Sequence, residues 1–147
     1  MKNAFVYALA LCGFWWGCSE EKTEPLPDLP PIEVPASVAG LYSGRMPCDE
    51  CKAHLVRMRL ENDSVANVVE TLVTDSVHAD TLHGKYSVSN GLVSVVFDSP
   101  KKRWDFKREN IGNLVLLTGA GTEYEDGDGL KVKLMRIYEK KNVQEEK

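Results

Sequence analysis

The chain has 147 residues, with 22 acidic against 18 basic side chains and a formal net charge of −4 at neutral pH. A mildly acidic chain without a basic cluster excludes nucleic acid as a partner. The length suits one domain once a short leader is set aside.

Residues 1–17 read as a signal peptide. Lys2 supplies a positive start, and Ala4 to Gly17 (AFVYALALCGFWWG) carries no charge. As a helix this stretch reaches about 21 Å, short of a hydrocarbon core of roughly 30 Å. It is therefore a leader and not a spanning helix, and no later stretch is apolar enough to span. Trp15-Trp16-Gly17-Cys18-Ser19 resembles a bacterial lipobox, whose cysteine takes a diacylglycerol before cleavage and acylation of the new amino terminus, palmitate being a typical chain. An ordinary signal peptide is the alternative, but no A-x-A site lies nearby. Two or three acyl chains on Cys18 hold a protein at a membrane lastingly, where one chain is marginal. Ser19 is not the Asp that favours inner-membrane retention, which points to the outer membrane, with the domain facing the periplasm. Loss of residues 1–17 removes only Lys2 among charged residues, so the net charge moves from −4 to −5.

Residues 18–37 form a tether. Ser19 to Ala36 holds five prolines and five acidic residues. Proline fixes φ and removes amide donors, so an extended, semi-rigid spacer is expected, with a reach on the order of 50 Å.

Residues 38–140 form the domain. Leu41–Gly44 reads as a first strand. His54–Leu60 alternates, with His54, Val56, Met58 and Leu60 on one face and Leu55, Arg57 and Arg59 on the other. Glu61–Ser64 turns the chain into Val65–Val73. Thr74–Ser76 turns it again, and Leu82–Val88 returns. Asn90-Gly91 is a hairpin signal before Leu92–Phe97. Asp98–Lys101 turns into Arg103–Lys107, and Asn110–Asn113 into Leu114–Thr118. Gly119–Gly129 is a glycine- and acid-rich loop. Lys131–Tyr138 closes the domain, and residues 141–147 are a charged tail. Eight short strands in about 100 residues, with at most one helical turn at Asp49–Lys52, predict an all-β antiparallel meander closing into a barrel. Such a barrel holds side chains or one small ligand. The expected core is Leu41, Val56, Met58, Leu60, Val95, Phe97, Trp104, Phe106, Leu114, Leu116, Leu134 and Ile137.

Of four cysteines, Cys12 falls in the leader and Cys18 under lipid, leaving Cys48 and Cys51 in Met46-Pro47-Cys48-Asp49-Glu50-Cys51. Outside the cytosol this pair is oxidisable. Three roles stay open. A disulfide staples the loop by about 2 kcal/mol. A reduced pair offers soft ligands for Cu(I), with Met46 and His54 as further donors if the loop folds back. Redox sensing is the third, although Asp49 and Glu50 raise thiolate pKa values. His54, in phase with Val56 and Met58, is either a satisfied interior histidine or a ligand. His78 and His83 read as surface residues near a turn. The acidic loop reads as solvated, and nothing in the chain assembles a catalytic constellation.

Gly40-x-Tyr42-x-Gly44-x-x-Pro47-Cys48-x-x-Cys51 behind a lipobox resembles the N-terminal domain of NlpE-type lipoproteins, known for copper resistance and envelope stress. The likeness continues through Gly84-Lys85-Tyr86, Trp104-Asp105-Phe106 and Lys133-Leu134-Met135-Arg136. It implies a monomeric outer-membrane lipoprotein with a lipocalin-like barrel, acting as a sensor or binding module with an envelope signalling partner, and it carries the family's paired cysteines onto Cys48 and Cys51. Ala53-His54 stand where members often have a glycine and an apolar residue, and a second domain used for signalling in some members has no counterpart here. The alternative reading is a lipocalin-like carrier of a small apolar ligand.

Overall fold

The computed structural model describes residues 33–139. Cys18, the leader, most of the tether and the charged tail lie outside them. Eight strands follow in order: β1 (Gly40–Arg45), β2 (Ala53–Leu60), β3 (Val65–Val73), β4 (Val77–Ser89), β5 (Leu92–Phe97), β6 (Arg103–Arg108), β7 (Leu114–Leu116) and β8 (Lys133–Ile137). Each pairs antiparallel with the next, and β8 pairs with β1 to close the barrel. There is no helix among the described residues.

Period-two patterning sets the register. On β2, Val56, Met58 and Leu60 are buried while Leu55, Arg57 and Arg59 are exposed. A slip of one residue would turn every one of these over. Between β4 and β5 a two-residue loop, Asn90-Gly91, takes φ of 51° and 77°. Positive φ at both positions matches the twist of a hairpin and suits this dipeptide. At Gly84 the strands approach closely: a Cβ there would lie 2.2 Å from the Val96 carbonyl oxygen.

Four details differ from the sequence expectation. β4 is 13 residues long and starts at Val77, because the ladder from Val73↔Val77 to Val65↔Lys85 is continuous although His78 and Asp80 hide the apolar alternation. β7 is only three residues. Asp49–Lys52 bends without forming a helical turn. Ile137 is 39% exposed: on β8 it is Leu134 and Arg136 that face inward, so Met135 and Ile137 face solvent. Trp104 is half-buried and packs edge-on against Phe97, with centroids 4.8 Å apart.

Tyr42, Met58, Phe97, Phe106, Leu114 and Leu134 are fully buried and fill the interior. One end of the barrel is sealed by the chain leading into β1. Arg108 donates to the carbonyls of Ala36 (2.7 Å) and Pro35, and Arg136 to those of Ser37 (2.9 Å) and Ala39 (2.6 Å). The Tyr42 hydroxyl donates to Val38 at 2.6 Å. Burial pushes the Tyr42 phenol above its ordinary range, against the opposing pull of Arg136 and Arg108. Residues 35–37, read from sequence as tether, are thus held on the barrel. The meander puts the β1–β2, β3–β4, β5–β6 and β7–β8 loops at the other end.

Candidate functional site

The β1–β2 loop carries the two cysteines at the rim of that second end. Met46 leaves β1 with its side chain buried in the core, and its N–H donates to the His54 carbonyl at 2.9 Å. The chain then turns outward at Pro47. Cys48 is exposed and Cys51 partly so. The two form a disulfide, with Cα atoms 5.7 Å apart, inside the usual range for such a bond. Lys52 N–H donates to the Val73 carbonyl at 2.7 Å and docks the far side of the loop on β3. The disulfide therefore stands on a loop pinned at both ends, with the acids Asp49 and Glu50 exposed between the sulfurs.

A polar cluster lies beneath. Glu70 follows Ala66 and Val68 on the inward face of β3, opposite Val56, and is 8% exposed. A buried carboxylate needs charged or hydrogen-bonding partners. Lys102 reaches in from the β5–β6 loop to 2.7 Å, and His54 Nε2 donates from 3.1 Å. The Lys102 ammonium also lies 4.8 Å from the centre of the Trp104 ring, a cation–π contact. His54 Nδ1 is 3.4 Å from the Pro47 carbonyl oxygen. Both ring nitrogens thus face oxygen acceptors. His54 links the disulfide loop to the barrel interior.

Of the residues singled out by sequence, Cys48 and Cys51 meet each other. His54 sits under their loop, turned inward as its phase requires, and is engaged by Glu70 and Pro47. Met46 is a core residue, buried in the apolar cluster it belongs to. Among the described residues, no three His, Cys, Asp or Glu side chains are grouped to hold a metal ion. His78 and His83 are exposed, hydrogen-bonded to Ser76 (2.7 Å) and Asn67 (2.7 Å). Glu70 and Lys102 are additions that the strand pattern alone did not single out. Glu70 has a signal, a lone acid in an inward phase, whereas Lys102 has none because it acts from a turn.

The acidic loop between β7 and β8 is tied down by ion pairs and a local turn. Hydrogen bonds from Lys131 and Lys107 hold the Glu123 carboxyl below its ordinary range. Asp126 accepts from the amides of Asp128 (3.0 Å) and Leu130 (2.9 Å) and forms a local turn. Between this loop and the disulfide loop runs a surface groove of about 660 Å³, lined by Arg45, Pro47, Cys48, Asp49, Tyr124 and Asp126 among others.

No protein-family model and no curated protein sequence matches the chain. Solved structures do. A Shewanella oneidensis protein classed as a lipoprotein superposes with a TM-score of 0.55 at 18% identity, over 68% of this chain and 89% of that one. The Cpx pathway activator NlpE from Escherichia coli superposes with a TM-score of 0.51 at 16% identity, over 59% of this chain and 46% of NlpE. The match thus spans less than half of NlpE. At these identities the likeness is one of fold, and the chain shares the closed antiparallel barrel of NlpE and the Shewanella protein, as its G-x-Y-x-G and P-C-x-x-C segments implied.

Proposed function

We propose that the protein is a lipid-anchored envelope module, held at the outer membrane through Cys18, whose Cys48–Cys51 rim acts as a sensing or binding element for an envelope signalling partner. The observation that carries this reading is the exposed disulfide on a loop tied to the barrel at Met46, His54 and Lys52. Cleaving it would free the loop tip while Met46 stays in the core. The lipobox-like sequence and the two structural neighbours, one classed as a lipoprotein and one named as a pathway activator, support the envelope setting.

Copper fits the reduced site in a restricted form. Cys48 and Cys51 supply two soft thiolates suited to Cu(I). Recruiting Met46 as well would expose a buried side chain, at a cost of about 1.5–3 kcal/mol. Recruiting His54 would strip a partner from Glu70. The two sulfurs are therefore the donors, and any further ligand comes from outside this chain. The carrier reading has no observation in its favour, since the large side chains named above occupy the interior.

Intact mass of the protein extracted from cell envelopes, with and without reductant, tests the proposal. Expected are a mature chain beginning at Cys18 with acyl chains added and a 2 Da gain on reduction. A chain without acyl groups, or a free dithiol under every growth condition, would refute it. Anaerobic Cu(I) titration should show uptake by the reduced protein and its loss in the Cys48→Ser/Cys51→Ser double variant.

A further inference from the structure

The first seven residues of β4 run past the barrel wall. Pairing with β5 begins only at Gly84↔Phe97, whereas pairing with β3 extends back to Val77. Tyr86 N–H donates to Ser64 on the β3 side, and Asp98 N–H donates to the His83 carbonyl on the β5 side. Main-chain groups alternate sides along a strand. Those of His78 and Asp80 therefore face β3, while those of Val77, Ala79 and Thr81 face outward from an edge that no strand among the described residues covers. All five residues are exposed. Proteins blunt such edges with lysine, proline, bulges or inward-pointing charges; Val77–Thr81 has no lysine or proline, pairs with β3 residue for residue, and carries Asp80 as its one acidic side chain.

Its side chains carry an unmatched charge. Asp80 lies directly opposite Glu70 in the register, and like charges so placed repel. Glu70 is answered by Lys102 and His54, whereas among the described residues Asp80 accepts only from the Thr81 amide at 3.0 Å. No cationic side chain meets Asp80 among the described residues. His78, two residues away on the same face, is hydrogen-bonded to Ser76 Oγ.

We propose that this edge pairs antiparallel with the same edge of a second copy, about a two-fold axis at Ala79. That register sets His78 against Asp80 of the other copy twice over, Val77 against Thr81, and Ala79 against itself. No like charges oppose. The outward-facing amides of Val77, Ala79 and Thr81 supply about six intermolecular hydrogen bonds, and His78 and Asp80 fall at the non-hydrogen-bonded positions, where side chains approach most closely. So short an edge buries far less than the roughly 1,200 Å² of a stable interface. The association is therefore weak and reversible.

Cysteine cross-linking of the full chain in intact cells, with diamide as oxidant, tests the register. Ala79 and its symmetry mate would lie about 5.5 Å apart, within disulfide range, so Ala79→Cys should form a covalent homodimer. Val77→Cys or Thr81→Cys alone should not, with equivalent residues roughly 13 Å apart, but the two co-expressed should join to each other. Adding His78→Glu to Ala79→Cys should cut the dimer at least fivefold, and the exchange His78→Asp with Asp80→His should restore it. The proposal is overturned if Ala79→Cys stays monomeric, joins only a chain of another mass, or cross-links no better than Val77→Cys alone. It is equally overturned if the charge exchange fails to restore the dimer.

Discussion

Reduction of Cys48–Cys51 should weaken the fold by about 2 kcal/mol. The cysteines are three positions apart, and the loop-closure entropy for so short a ring gives that figure. Other ties limit the loss further. Met46 remains buried, and the Met46–His54 and Lys52–Val73 backbone bonds close the loop without the sulfurs. A domain of this size has a urea m-value of about 1–3 kcal/mol/M. The midpoint should therefore fall by roughly 1 M with m unchanged. Urea titrations of oxidised protein, reduced protein and the Cys48→Ala/Cys51→Ala variant, followed by Trp fluorescence, measure it. The last two should coincide. A loss above about 4 kcal/mol, or a changed m-value, would show that the disulfide organises the barrel itself. The loop could not then be released while the barrel stays folded, and a sensing role would fall with it.

Other substitutions separate the parts of the site. Met46→Ala, by emptying a core position, should cost about 2–5 kcal/mol and exceed the effect of reduction in the same titration. Gly84→Ala should lower the melting temperature more than any exposed alanine substitution, since its Cβ would meet the Val96 carbonyl at 2.2 Å; an unchanged melting temperature would contradict the close strand approach. The Asp105 carboxyl, despite desolvation by burial, is held below its ordinary range by hydrogen bonds from Ser94 and Arg103 and by the Arg103 charge. A depressed carboxyl contributes stability that is present above its unfolded pKa of about 3.9 and is lost as pH falls through the folded value. Melting temperatures from pH 6 down to pH 3 should therefore drop more steeply for the native protein than for Asp105→Asn, and parallel profiles would contradict the assignment.

The barrel was legible because its strands alternate. His54–Leu60 and Arg103–Lys107 announce their inner faces, and Asn90-Gly91 announces its hairpin. Legibility failed where polar residues held inward or edge positions. Arg136 takes an inward slot to bind the carbonyls of Ser37 and Ala39, which turns Ile137 outward. His78 and Asp80 obscured the first half of β4, whose pairing is made by backbone and not by burial. At the site, P-C-x-x-C marked the loop, and the period-two count aimed His54 inward. That Met46 belongs to the core and that Lys102 reaches Glu70 are tertiary facts, set by residues far apart in the chain that no local pattern relates.

An even number of strands has a mechanical corollary. β1 and β8 are antiparallel neighbours, with Leu41 opposite Ile137, so both ends of the chain leave the barrel at one pole, beside Arg108 and Arg136. Tension on the segment before Pro35 first meets the guanidinium clasps on Pro35, Ala36, Ser37 and Ala39. It then reaches β1, which is held on both sides by its ladders to β2 and β8. The disulfide rim, at the far pole, lies off that load path.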